Sequence, residues 1–149
     1  MSDTASGNSL IDLTLDSNLG SVDHAEELVV NAADRMGFDD EDQHKIGIAI
    51  RECMVNAVAH GNRYSAKKKV RLQVWTDSGK LIVHIGDEGN GFEAVAVPDP
   101  LAQENLLKHS GRGLLMIQAF MDEFIVRKRE PAGTEVRLVK RLPAKSSEN

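Results

Sequence analysis

The chain has 149 residues, 41% hydrophobic and 28% charged, with a net charge of −5 and a single cysteine. A domain of about 150 residues buries roughly 68–70% of its unfolded surface, so one core is expected and wholesale disorder is excluded. Cys53 alone makes neither an intramolecular disulfide nor a multi-cysteine zinc site, no apolar run approaches the roughly 20 residues of a spanning helix, and Met1-Ser2-Asp3-Thr4 lacks the basic and apolar regions of a signal peptide; a cytoplasmic protein is expected.

Residues 1–8 and 143–149 are small and polar and read as frayed tails around one domain, 9–142. Ile11, Leu13 and Leu15 alternate with Asp12, Thr14 and Asp16, the period of a half-buried strand. Ser21 is then read as the cap of a first helix with Ala25, Leu28, Val29, Ala32 and Met36 at helical spacing and Gly37 as its stop. A second, longer helix is expected from about Glu41 to His60, with Ile46, Ala49, Ile50, Cys53 and Ala57 along one stripe. Val70, Leu72 and Val74, the turn Asp77-Ser78-Gly79, then Leu81, Val83 and Ile85 predict a hairpin. Residues 86–111 lose periodicity and hold Pro98-Asp99-Pro100, the signature of a functional or mobile loop. A third helix at about Arg112–Met121 precedes a closing hairpin, 123–129 and 134–140, around Glu130-Pro131-Ala132-Gly133. Five strands and three helices imply an α+β fold with a mixed sheet and its helices on one face.

Three stretches can carry chemistry. In the second helix Glu52, Asn56 and His60 recur every four residues at the border of the apolar stripe, which suits a cavity rim or, equally, a solvated helix edge. Asp87-Glu88-Gly89-Asn90-Gly91-Phe92 follows a strand; glycines admit a ligand close to the backbone and an Asp there can accept from a ligand amino group, although a plain glycine-rich turn has the same wording. The run Gly89 to Ala94 fits G-x-G-x-x-A formally, but Pro98 and Pro100 prevent the helix that a dinucleotide fingerprint must open. Gly111-Arg112-Gly113 opens an apolar helix, where free N–H groups and a guanidinium suit a phosphate; an ordinary helix start is the alternative.

Taken in order, E-x-x-x-N on a helix, D-x-G-x-G-F after a strand and a distal G-x-G opening a helix resemble the N, G1 and G2 boxes of the GHKL ATPase superfamily. From Ile11 to Leu142 the chain looks like its short branch, the anti-sigma-factor serine/threonine kinases, whose wording is matched by Glu52-Cys53-Met54-Val55-Asn56-Ala57-Val58-Ala59-His60-Gly61-Asn62 and by Met121-Asp122-Glu123. The resemblance implies a two-layer α/β sandwich of Bergerat type, with a mixed, mainly antiparallel sheet of about five strands and three helices on one face. It implies ATP and Mg²⁺ as cofactors: Asn56 as the metal ligand, Glu52 as the general base, Asp87 with Gly89 and Gly91 at adenine, Gly111, Arg112 and Gly113 around the phosphates, Thr134 supporting Asp87, and 92–110 as an ATP lid. It further implies a STAS-type anti-anti-sigma partner as phosphoacceptor, a sigma factor to sequester, and a homodimer. His60 completes the row and either touches a metal-bound water or packs, packing being the favoured of the two.

The function expected is therefore a kinase of partner switching, with an ATP-gated binding module that transfers no phosphate as the alternative. The residues 1–43 carry eleven acids and one base, 44–80 eight bases and two acids, so front and middle could attract different partners. The basic run Arg63–Arg71 sits in an acidic chain that is 4% aromatic, which speaks against nucleic acid and for a solvated edge or a dock for an acidic protein. A histidine-kinase catalytic domain is disfavoured, since no helix pair with a phosphorylatable histidine precedes the boxes.

Overall fold

A computed structural model describes residues 8–89 and 112–143. Residues 1–7 and 144–149 of the tails, Asn90, Gly91, Gly111, the segment 92–110 expected as a lid, and the side chain of Arg112 lie outside the described residues, whereas Asn8, expected in the tail, begins the first strand. Strand β1 (Asn8–Asp16) precedes helices α1 (Leu19–Met36) and α2 (Asp40–Val55), then come β2 (Lys69–Asp77), β3 (Lys80–Gly86), α3 (Arg112–Phe120), β4 (Glu123–Lys128) and β5 (Thr134–Arg141). The sheet order is β1-β2-β3-β5-β4, and all four pairings are antiparallel, in keeping with a mainly antiparallel expectation.

Alternation decides which face is buried. Ile11, Leu13 and Leu15 stand opposite Val74, Leu72 and Val70, and the last two meet Ile85 or lie beside it on the face turned to the helices. The core there joins Val22, Ala25 and Val29 of α1, Ile46, Ile50 and Cys53 of α2, Leu114 and Ile117 of α3, and Leu72, Val83, Ile85 and Leu138 of the sheet. At about 25 cal/mol per Å² such burial is the main stabilising contribution of the fold. On the opposite face Trp75, Ile82 and Val139 form one cross-strand row, with the His84 ring edge-on to Trp75 at 4.6 Å.

The first helix begins earlier than its wording suggests. Asn18, not Ser21, is the cap: its Oδ1 accepts from the Ser21 N–H at 2.9 Å, and Ser21 is buried in the first turn. Gly37 ends the helix at φ +104°, where its N–H and that of Phe38 donate to the Asp34 and Ala33 carbonyls. Asp39 caps α2 by accepting from the Asp42 N–H at 2.8 Å, and three acids in its first turn suit the positive helix end. The far end of α3 is held by Lys140, whose Nζ donates to the Phe120 carbonyl at 2.7 Å. Among the described residues no helix is long and apolar enough to cross a membrane.

Candidate nucleotide site

The helix that carries Glu52 and Asn56 changes pitch at Asn56. Residues Asn56–Gly61 form a π-helical turn, closed by the Asn62 N–H donating to the Ala57 carbonyl, five residues back, at 2.8 Å. Turns of this kind recur at functional sites. Within the expected row Glu52, Asn56, His60 burial is uneven: Glu52 and Asn56 are half-buried, whereas His60 is exposed, which goes against the leaning to packing. Arg63 and Tyr64, both at positive φ, then reverse the chain, and the Tyr64 N–H reaches back to the Val58 carbonyl at 2.9 Å.

What Gly61 stacks against is Asp87. A Cβ built on Gly61 would lie 2.4 Å from Asp87 Oδ2, and one on Gly89 would lie 1.8 Å from the Gly61 carbonyl oxygen, so the turn and the Asp87 loop touch where only hydrogen fits. Asp87 itself is buried just beyond β3, extending the pairing with β5: its N–H donates to the Thr134 carbonyl at 2.9 Å. Its Oδ1 accepts from the N–H groups of Gly89 at 3.0 Å and Thr134 at 3.1 Å. Thr134 thus supports Asp87 through its backbone. Gly133, at φ +107°, brings the β4–β5 turn against the Asp87 carbonyl, where a Cβ would be 1.9 Å from the oxygen. Arg129 Nη1 donates to that same carbonyl at 2.8 Å.

Burial pushes the Asp87 carboxyl above its ordinary pKa, and this is opposed by the Gly89 and Thr134 N–H groups and by the nearby Arg129 and Lys68 cations. The neutral form is favoured by the site and the charged form by its donors. Oδ1 of this carboxylate is thus committed to the backbone, while Oδ2 faces Gly61.

At the other end of the same helical run, Glu52 reaches α3. A Cβ on Gly113 would sit 2.2 Å from Glu52 Oε1, which places the carboxylate over the first turn of α3. Hence Glu52, Asn56, Asp87, Gly89, Gly113 and Thr134 share one end of the fold, strung along α2 and its π turn. Four further residues, Gly61, Asn62, Arg129 and Gly133, belong to this site and were not anticipated. The glycine-asparagine pair closing the second helix and the glycine before Thr134 were their only local signals. Cys53, next to Glu52, faces the core instead, its thiol pushed well above the ordinary range by burial and thereby inert.

The family model for the histidine kinase-like ATPase domain matches residues 15–140. The chain is 30% identical over 96 residues to an anti-sigma F factor of Clostridium botulinum (strain Eklund 17B / Type B), covering 63% of this chain and 67% of that protein. Among solved structures it is similar to one in the SiaB-SiaC complex from Pseudomonas aeruginosa, at a TM-score of 0.66 and 15% identity over 91% of this chain and 92% of that one. It is also similar to the structure of the RsbU and RsbW domains of Rv1364c from Mycobacterium tuberculosis, at a TM-score of 0.62 and 20% identity over 89% of this chain, spanning 31% of that longer chain. At these identities the two structures bear on the fold, and both have the α+β architecture described above. The chain belongs to the histidine kinase-like ATPase domain family, in the branch that holds the anti-sigma F factors.

Proposed function

We propose that this protein is an ATP-dependent serine/threonine protein kinase that acts as an anti-sigma factor in bacterial partner switching, with a STAS-type anti-anti-sigma protein as its phosphoacceptor. The observation that carries the reading is Asp87: a buried carboxylate whose Oδ1 is held by two backbone N–H groups at 3.0 and 3.1 Å and whose other oxygen lies against Gly61. That oxygen suits the 6-amino group of adenine and meets the 6-oxo group of guanine with like charge. A lost hydrogen bond to a charged acceptor costs roughly 1.5–3 kcal/mol, enough for about ten- to a hundredfold selectivity.

The residues present fit Mg²⁺ in a particular way. Among the described residues no group of three His, Cys, Asp or Glu side chains could hold a metal. A hard cation that keeps several waters and takes its charge from phosphates needs few protein oxygens, and Asn56 offers one neutral carboxamide. When bound, it would neutralise charge on the phosphates. Gly111, Arg112 and Gly113 would receive those phosphates, the last two from the positive end of α3. Glu52, beside Gly113, would take the proton from an attacking serine or threonine hydroxyl. As the new O–P bond forms, the bond from the γ-phosphorus to its bridging oxygen breaks and ADP leaves.

The partner-switching role draws on the names of the relatives, and the homodimer and sigma-factor partner follow from the same resemblance. Incubation with ATP and a STAS-domain protein, followed by mass spectrometry, tests the reading. Phosphoserine or phosphothreonine on the acceptor is expected from the wild type, and a loss of at least a hundredfold from Glu52→Ala with ATP binding retained. Unimpaired transfer by Glu52→Ala would remove the proposed base. ATP binding without transfer by the wild type would favour an ATP-gated binding module.

A further inference from the structure

Asn62, 1% exposed, lies just beyond the π turn and makes three hydrogen bonds with its side chain. Its Nδ2 donates to Ser17 Oγ at 2.8 Å and to the Lys69 carbonyl at 3.0 Å, and its Oδ1 accepts from the Glu88 N–H at 2.8 Å. The Glu88 N–H can only donate and the Lys69 carbonyl can only accept, so the carboxamide has one workable orientation. The circuit closes on itself, because the Lys69 N–H donates to Glu88 Oε1 at 2.7 Å. Ser17 is anchored in turn by its hydroxyl donating to the Lys68 carbonyl at 2.5 Å.

The consequence lies in one peptide plane. The Asp87 carbonyl and the Glu88 N–H belong to the same rigid peptide unit. Arg129 holds its oxygen at 2.8 Å and Asn62 holds its N–H at 2.8 Å, from opposite edges. Fixing that plane fixes ψ of Asp87, while the Gly89 and Thr134 N–H groups fix its carboxylate. We infer that Asn62 is a positioning residue for purine recognition: by clamping the Asp87–Glu88 peptide it aims Asp87 Oδ2, and so it sets the preference for a 6-aminopurine over a 6-oxopurine. This rests on the adenine reading of Asp87 given above.

The test is the ratio of affinities for ATP and inosine triphosphate, which differ at the group Asp87 is to read, measured by calorimetry with thermal unfolding followed in parallel. The wild type is expected to prefer ATP at least tenfold, and Asn62→Ala to reduce that ratio about tenfold, with ATP weakened far more than inosine triphosphate. A purely structural role would weaken both nucleotides equally and leave the ratio intact, which would overturn the inference. Should Asn62→Ala not fold, the exposed Glu88 supplies the deciding pair: Glu88→Ala opens the circuit and is expected to lower the ratio about threefold, and Glu88→Gln, keeping the acceptor, to restore it. An unchanged ratio in Glu88→Ala would then overturn the inference. A wild type without preference removes the adenine reading and this inference together, whereas a preference equal in wild type and Asn62→Ala removes this inference alone.

Discussion

Asp87 is electrostatically uncomfortable in the free protein, and that is the physical sign of a residue kept for a ligand. Its carboxyl is raised by burial, so the folded chain holds the proton more tightly than the unfolded chain does. By linkage, stability then falls as pH rises from the unfolded pKa through the folded one, and at pH 7 the ionised group costs stability. Asp87→Asn keeps an Oδ1 for the two N–H donors and removes the charge. The free variant is expected to unfold at a temperature equal to or above that of the wild type at pH 7, with the difference shrinking as pH falls into the carboxylate range. Its ATP affinity is expected to drop about ten- to a hundredfold. Differential scanning calorimetry against pH, with a titration at pH 7, reads both; a variant less stable at pH 7 than at pH 4, relative to wild type, would contradict the assignment. The D-x-G wording exposes Asp87 in the sequence because local spacing is enough. Asn62 is not legible in the same way: its partners Ser17, Lys69 and Glu88 lie far apart along the chain, and no periodicity relates them.

At the scale of elements, the π turn brings the end of the second helix against the Asp87 loop. The turn ends on Gly61, where a Cβ would be 2.4 Å from Asp87 Oδ2, which is tighter than the neighbours can absorb without moving. Gly61→Ala is expected to destabilise by about 1–3 kcal/mol, the ordinary cost of overpacking, and to weaken ATP binding at least tenfold. Chemical denaturation and calorimetry check this; wild-type stability with wild-type affinity would show that the contact is not a constraint. The helices and hairpins are legible because their apolar periods are strong: Ala25, Val29 and Ala32, or Val70, Leu72 and Val74, are buried as the pattern requires. The cap at Asn18 and the change of pitch at Asn56 are not, since Ser21 is an equally good capping type and nothing in Asn56-Ala57-Val58-Ala59 marks a wider turn.

Across the whole molecule, the acidic front and basic middle of the chain turn out to face each other. Arg51 of α2 pairs with Asp23 and Glu26 of α1. Lys69 and Arg71 of β2 pair with Asp16 and Asp12 of β1, the latter carboxyl lowered by its hydrogen bond from Arg71. These are exposed pairs worth about 0–1 kcal/mol each, so they set register more than stability. Part of the charge asymmetry that could attract separate partners is thus spent within the fold, and the end of the run Arg63–Arg71 belongs to β2, an interior strand rather than an edge, whose Lys69 and Arg71 pair with β1. The strand order, with β5 between β3 and β4, has a functional result: it sets Thr134 beside Asp87, and α2 against α3 sets Glu52 beside Gly113. Those juxtapositions unite three separated motifs, and only tertiary structure carries them. The central claim, that they form one adenine-selective site, is tested most directly by calorimetric titration of the purified protein with ATP and with GTP in the presence of Mg²⁺. Micromolar ATP binding with GTP at least tenfold weaker is the predicted result; equal affinities, or no binding of either nucleotide, would contradict it.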